Sequence, residues 1–278
     1  MNKTTVLEKI HFEGLSLQEF DQEFRADKDI VMAAIQHRKS DFQYAREALR
    51  NDKEVALAAM NAYILSYLGE ELLADKGVVM KALDYFGAGY HKVSEKLRAD
   101  REVVLKSLIF FGDKKRGLYC GSRFKYASEN LRNDREFALM VIKDYEVSLE
   151  FVGDVLKADK EFVLQASKYD KFFLAYVSKE LQEDSEVVLV AIKGGSSLKY
   201  ASAALQADKE IVMIAIKNNT GQDLQYASED LKADKEVVLA AVTSYAFALE
   251  FASDLLQKDK EVVLAADKCL EQFRGNIK

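Results

Sequence analysis

The sequence predicts an all-α fold, a right-handed α-solenoid (superhelix) of ten helix-turn-helix repeats of about 25 residues. One aspartate recurs at a nearly constant spacing, a leucine precedes it by three residues in nine of ten copies, and an apolar run follows it. These anchor aspartates are Asp27, Asp52, Asp75, Asp100, Asp134, Asp159, Asp184, Asp208, Asp234 and Asp259. Neighbouring anchors lie 23 to 26 residues apart, except for one interval of 34 residues.

The segment after each anchor predicts an α-helix, helix B. Aspartate is a preferred N-cap, because its carboxylate accepts hydrogen bonds from the free N–H groups of the first turn. Nine anchors are followed by Lys or Arg and then, in nine repeats, by Asp or Glu, which the helix dipole favours near the N-terminus. The apolar run that follows, such as Val237, Val238, Ala241 and Val242, has helical spacing.

The segment before each anchor predicts a shorter helix, helix A. In one repeat Leu224, Ala227 and Leu231 are spaced i, i+3, i+7, which places them on one helical face. Helices this short are marginal alone, so stacking of neighbouring repeats must supply the core. We therefore expect one cooperative array over residues 17–267, preceded by a capping segment at 1–16 and followed by a polar tail at 268–278.

An aromatic residue recurs eight positions before most anchors. Its members are Tyr44, Tyr67, Tyr126, Phe151, Tyr176, Tyr200, Tyr226 and Phe251. A position repeated this strictly favours packing between repeats, with the tyrosine hydroxyls at the solvent edge. The alternative is a stacking surface for nucleic-acid bases or a proline-rich peptide.

The repeat spacing breaks between Asp100 and Asp134, where residues 110–123 form a predicted insertion loop. This loop concentrates basic and aromatic residues in an otherwise acidic protein. Its candidate partner-binding residues are Phe110, Phe111, Lys114, Lys115, Arg116, Tyr119 and Arg123. Binding residues often lie on loops held by a rigid scaffold, which favours a contact with an acidic partner or a phosphate group. A tolerated surface insertion is the alternative, since lengthening a loop costs little free energy.

Composition narrows the classes of function. The net charge of −6 argues against broad nucleic-acid binding, which requires a basic surface. A signal-peptide pattern and a membrane-length apolar run are both missing, so we expect a cytoplasmic protein without a membrane partner. The cysteines and histidines have no metal-ligand spacing, and no phosphate loop or catalytic triad stands out. We expect no enzyme activity, metal or cofactor.

The repeats resemble the tandem repeats known as domain of unknown function 4116. The shared motif is L-x-[YF]-A-S-x-x-L-x-x-D-[KR]-E-V-V-L-x-A-[IV], present with few departures at Leu198–Ile216, Leu224–Val242 and Phe124–Ile142. The resemblance covers residues 17 to 267 and implies a helical repeat without implying an activity.

These features together favour a non-catalytic scaffold that binds another protein. One alternative is a nucleic-acid-binding α-solenoid that uses the basic loop at 110–123, which the acidic charge balance disfavours. A further alternative is an enzyme whose site assembles only in the fold. The sequence leaves the identity of the partner and the oligomeric state open.

Overall fold

The computed structural model describes residues 1–109, 121–219 and 221–275, with side chains described up to residue 272. Within these ranges every regular element is helical, as predicted. The chain divides into two compact units, Met1–Phe137 and Ala138–Lys278. Among the described helices, none combines the length and the apolar character needed to cross a bilayer.

Each anchor aspartate begins a long helix, which corresponds to the predicted helix B. The long helices are Lys28–His37, Lys53–Ala58, Lys76–Leu83, Arg101–Ser107, Arg135–Tyr145, Lys160–Ala166, Ser185–Lys193, Lys209–Asn218, Lys235–Ser244 and Lys260–Gly275. The anchor carboxylate accepts from first-turn N–H groups in every case, for example from Val237 at 3.3 Å in the repeat of Asp234. Each such cap contributes about 1 kcal/mol.

Helix A is not one helix, so this part of the prediction is wrong. In most repeats a 3₁₀ segment and a four-residue α-helix take its place. The 3₁₀ segments are Leu17–Glu19, Lys39–Tyr44, Ile64–Ser66, Tyr90–Lys92, Gly121–Tyr126, Leu149–Phe151, Phe173–Ala175, Leu198–Tyr200, Gln222–Tyr226 and Ala246–Phe251. The short helices are Glu47–Arg50, Glu70–Leu73, Glu95–Arg98, Glu129–Arg132, Asp154–Lys157, Lys179–Gln182, Ala203–Gln206 and Glu229–Lys232. Phe24–Ala26 and Leu256–Lys258 are 3₁₀ turns at the equivalent places in the first and last repeats.

The break in helix A lies at the Ala-Ser pair of the motif. Ala227 and Ser228 both have extended backbone, with ψ angles of 156° and 158°. The freed N–H of Ser228 donates to the carbonyl oxygen of Gln206 in the preceding repeat at 2.9 Å, and the Ser228 hydroxyl caps the short helix that follows. Equivalent backbone bonds link other neighbouring repeats, such as Ser94 to Leu73 and Ser202 to Gln182. The break therefore supplies a hydrogen bond between repeats that a continuous helix would not allow.

The core of each unit follows the predicted apolar positions. In the second unit, Val237, Val238, Ala241 and Val242 of one long helix are fully buried, and Leu224 of the preceding 3₁₀ segment is buried with them. In the first unit, Ile30, Val31, Ala34 and Ile35 occupy the same places. Neighbouring long helices pack side by side within each unit. Burial of these faces is the stacking that short helices require.

The predicted capping segment at 1–16 contains an element that belongs to the repeat. Asn2 lies 25 residues before Asp27 and caps the helix Lys3–Glu8 with its side-chain oxygen, as the anchors do. Lys3 pairs with Asp27 and Asp29, and Val6 and Ile10 are fully buried. The N-terminal helix is therefore equivalent to helix B of one more repeat.

A row of ion pairs joins the long helices. The Lys or Arg after one anchor pairs with the anchor of the next repeat, as Lys209 does with Asp234 at 2.7 Å, and often with the following acid, here Glu236 at 2.7 Å. The bridging cations include Lys3, Lys28, Lys53, Lys76, Arg101, Lys160, Lys209 and Lys235. The hydrogen bond from Lys209 holds the pKa of Asp234 below its usual range. We call this row the ion-pair ladder.

Candidate interaction groove

The second unit has two adjoining open depressions, which we together call the aromatic groove. The first has a volume of about 540 Å³ and the second about 600 Å³, and Phe172 and Tyr200 line both. Besides these two residues, the lining comprises Ile142, Glu146, Val147, Ser148, Tyr169, Asp170, Lys171, Ala175, Tyr176, Gly195, Ser197, Asn218, Asn219, Gln222, Asp223, Gln225 and Tyr226. Every one of these residues lies within the second unit.

The aromatic rings of the groove come from the turns and 3₁₀ segments that precede the short helices. Tyr200 and Tyr226 end their 3₁₀ segments, and Tyr176 directly follows one. Tyr169 and Phe172 lie in the turn after the long helix Lys160–Ala166. Phe172 is 68% exposed and Tyr169 48%, which is high for large apolar side chains. Five aromatic rings thus line these two adjoining depressions, and such a cluster is typical of an interaction site.

Two carboxylates hold the polar part of the groove in place. The buried Asp223 accepts from the Ser197 hydroxyl at 2.9 Å, from the Leu198 N–H at 3.2 Å and from the Asn219 amide at 2.6 Å. Asp170 accepts in the same way from the hydroxyl of Ser148 and the N–H of the next residue. In both cases the donors Ser and N–H begin the 3₁₀ segment of the preceding repeat. The groove floor is therefore fixed by hydrogen bonds between repeats.

The groove is negatively charged. Its described lining contains the carboxylates of Glu146, Asp170 and Asp223 and the ammonium of Lys171, a net charge of −2. The hydrogen-bond partners of Asp170 and Asp223 are hydroxyl, amide and N–H groups, which leave the carboxylate charge uncancelled.

Negative charges in and beside the groove contribute to the raised pKa of Tyr176. Burial is the largest cause of the raised pKa of its hydroxyl, and the negative charges of Glu150 and Asp170 raise that pKa further. The same negative charges would attract a cation placed in the groove.

The groove can bind by stacking, by hydrogen bonding and by charge. Aromatic faces accept cations and flat apolar groups. The exposed amides of Asn218 and Gln222 carry both donors and acceptors, which suits the N–H and carbonyl groups of another backbone. Among the described residues, no cluster of three His, Cys, Asp or Glu side chains could hold a metal ion.

The predicted binding loop lies mostly outside the described residues. Phe110, Phe111, Lys114, Lys115, Arg116 and Tyr119 all fall between residues 110 and 120, so their part in binding stays a prediction. Arg123 is described, and its guanidinium donates to the Ser107 carbonyl oxygen at 3.0 Å and lies 4.5 Å from the centre of the Phe86 ring. These contacts lie within the first unit, and Arg123 is not among the residues that line the aromatic groove.

The aromatic residues eight positions before the anchors show features of both interpretations made from the sequence, packing between repeats and binding at the surface. In the first unit Tyr44, Tyr67 and Tyr126 are half-buried and pack against the core. In the second unit Tyr176 and Tyr226 are half-buried, and Tyr200 is 38% exposed. All three tyrosines of the second unit line the groove. These tyrosines are therefore partly buried in the repeats, and those of the second unit also line the groove.

Several groove residues gave no signal in the sequence. Phe172 and Tyr169 lie in a turn that differs from repeat to repeat, so periodicity could not identify them. Asp223 had a detectable signal, because Ser197 stands about one repeat length before it, and Asp41 has the same relation to Ser16. The ion pairs of the ladder had a similar signal in the sequence, because a Lys stands about one repeat length before the carboxylate with which it pairs.

Comparison with protein-family models gives one family. The model described as domain of unknown function (DUF4116) matches the chain seven times, and together the matches cover well over half of it. The matched residues are 2–49, 75–110, 118–158, 159–206, 191–232, 208–256 and 234–266. The chain belongs to this family. The first match begins at Asn2, which agrees with the repeat-like character of the N-terminal helix.

The other two comparisons give no relatives of this DUF4116 chain. No curated protein matches it, and no solved structure matches it.

Proposed function

We propose that this DUF4116 chain is a non-catalytic helical repeat scaffold that binds another protein through the aromatic groove of its second unit. The observation that supports this proposal most directly is the presence of five aromatic residues, three of them exposed, in two adjoining open depressions. Aromatic side chains are enriched where proteins bind one another, because they bury a large area at a small entropic cost.

A comparison between the side chains of the ion-pair ladder and those of the groove also supports binding. Along the ion-pair ladder, the charged groups bond to each other between repeats and so hold neighbouring repeats together. In the groove, the carboxylates Asp170 and Asp223 are engaged in that way, while Tyr169, Phe172 and Tyr200 expose apolar surface. Exposed apolar surface gathered at one place is typical of an interaction site.

Affinity capture with quantitative mass spectrometry tests the proposal. The bait is the full chain, and the double variant Phe172→Ala, Tyr200→Leu removes two groove rings that lie at the surface. The matched control is Tyr63→Ala, an aromatic residue of the first unit that is 62% exposed and lies outside the groove. Circular dichroism establishes that all baits have the same helical content.

We expect a set of proteins that the wild-type chain and the Tyr63→Ala chain retain equally and that the double variant loses. Equal recovery with the double variant and the wild type would place the binding surface elsewhere. Recovery of nothing above background with any bait would contradict the scaffold function.

A further inference from the structure

We propose that the occupant of the aromatic groove is an extended basic segment of a polypeptide, with proline between its lysine or arginine residues. This inference rests on the proposed function and adds the chemistry of the partner. It follows from three properties of the groove: its shape, its aromatic lining and its charge.

The shape favours a linear occupant. The two depressions lie next to each other along the repeats, since Phe172 and Tyr200 line both, and both are open to solvent. Sites for small molecules are concave and enclose most of the ligand surface. An open depression that passes from one repeat to the next can instead receive a chain whose residues repeat along its length.

The aromatic lining favours an extended backbone with proline. Tyr176, Tyr200 and Tyr226 occupy the same position in three successive repeats, so the groove offers ring faces at regular intervals. Polyproline II segments dock in aromatic-lined grooves, and their preformed conformation reduces the entropy lost on binding. The exposed amides of Asn218 and Gln222 can bond to the backbone N–H and carbonyl groups that such a segment leaves free.

The charge selects basic side chains. The lining carries a net charge of −2, from Glu146, Asp170 and Asp223 against Lys171. Near the rim, the negative charge of Glu150 and the positive charge of Lys199 cancel in the net charge. The Lys199 ammonium lies 5.7 Å from the centre of the Tyr200 ring. A cation over these rings gains both the ring quadrupole attraction and the attraction of the carboxylates. A phosphate backbone, which could also use the rings for stacking, would be repelled by the carboxylates.

Fluorescence anisotropy with defined probes tests the inference. The probes are three labelled peptides of equal length in which proline alternates with arginine, with glutamine or with glutamate, together with a labelled oligothymidylate. The protein is the full chain, either wild type or with Phe172→Ala, Lys171→Glu or the control Tyr63→Ala.

We expect the arginine peptide to bind most tightly, the glutamine peptide more weakly and the glutamate peptide most weakly, with affinity for the arginine peptide falling as salt increases. Phe172→Ala should weaken arginine-peptide binding by about two- to tenfold, the effect of losing one aromatic contact. Lys171→Glu should strengthen it by about two- to fivefold, since it replaces a repelling exposed charge with an attracting one. A gain in affinity cannot result from misfolding. Tyr63→Ala should bind like the wild type.

Two results would overturn the inference. One is an affinity order that does not follow the peptide charge, or an affinity for the arginine peptide that Lys171→Glu leaves unchanged. The other is tighter binding of oligothymidylate than of the arginine peptide, which would identify the groove as a nucleic-acid site. If captured proteins depend on Phe172 while the arginine peptide binds no better than the glutamate peptide, the scaffold function stands and the proposed chemistry of the partner is wrong.

Discussion

The ion-pair ladder and the aromatic groove are both built largely from positions that occur once per repeat, yet their side chains are used differently. In the ladder, the ammonium of Lys235 bonds to Asp259 and Glu261 of the following repeat at 2.9 Å. In the groove, the ring of Tyr200 is 38% exposed, and that of Phe172, which has no fixed place in the repeat, is 68% exposed. Repetition alone therefore does not separate stacking residues from binding residues; the separation comes from whether the polar and apolar groups already have partners.

The two regions meet at Asp223, which lines the groove but bonds to the preceding repeat. Asp223→Ala should have the largest effect on stability, because it leaves the N–H of Leu198 without its acceptor and frees one of the two hydrogens of the Asn219 amide, whose other bond runs to the Ser196 carbonyl oxygen. Each such group costs about 1–3 kcal/mol. Urea denaturation followed by circular dichroism measures the loss as a lower midpoint, with the exposed Asp230→Ala as the control. An unchanged midpoint would show that this bond between repeats does not stabilise the unit.

Acidification should break the ladder before it affects the apolar core. The pKa of Asp234 is lowered in the folded chain, chiefly by its bond from Lys209, so the resulting stabilisation is complete above the unfolded pKa near 3.8 and is lost as the pH falls through the folded value. Asp234→Asn keeps an N-cap and removes the charge. At neutral pH this variant should be less stable than wild type by at most about 1 kcal/mol.

Unfolding free energies of wild type and Asp234→Asn, measured as the pH is lowered from neutrality to below 3.8, test this expectation. The difference between the two chains should shrink as Asp234 becomes protonated in the wild type. A difference independent of pH would mean that the charge of Asp234 does not contribute.

The smallest effect concerns a missing cation in the ladder. Ser185 follows the anchor Asp184, where nine other repeats have Lys or Arg, and the next anchor, Asp208, is exposed rather than half-buried. Ser185→Lys should supply a bridge to Asp208 and raise the unfolding free energy by roughly 0.2–1 kcal/mol. Ser185→Met, similar in length but uncharged, is the control. Equal stabilities of the two variants would exclude an ion pair at this place.

The periodic part of the fold could be predicted from the sequence because it depends on local chemistry. An aspartate before an apolar run of helical spacing caps a helix in any repeat. The long helices can therefore be predicted from residues within one repeat, such as Asp234 and Val237. The prediction of a single helix A was wrong. The spacing of the apolar residues around Ala227 and Ser228 is helical, but the N–H of Ser228 donates to the carbonyl oxygen of Gln206 in the preceding repeat and not within a helix. The N-terminal helix was missed for a related reason, since Asn2 replaces the anchor aspartate while retaining its capping oxygen.

The sequence by itself determined an array of capped helices in a member of the DUF4116 family, because capping and apolar periodicity act within a few residues. Only the tertiary structure decided where surface is left over. Stacking brings Phe172, Tyr200 and Tyr226 of different repeats to one groove and joins Lys209 to Asp234, and neither arrangement can be read from one repeat. The physical reason is that burial and pairing depend on the neighbouring repeat. The spacing along the chain shows that such a repeat exists, but it does not give the orientation of that repeat.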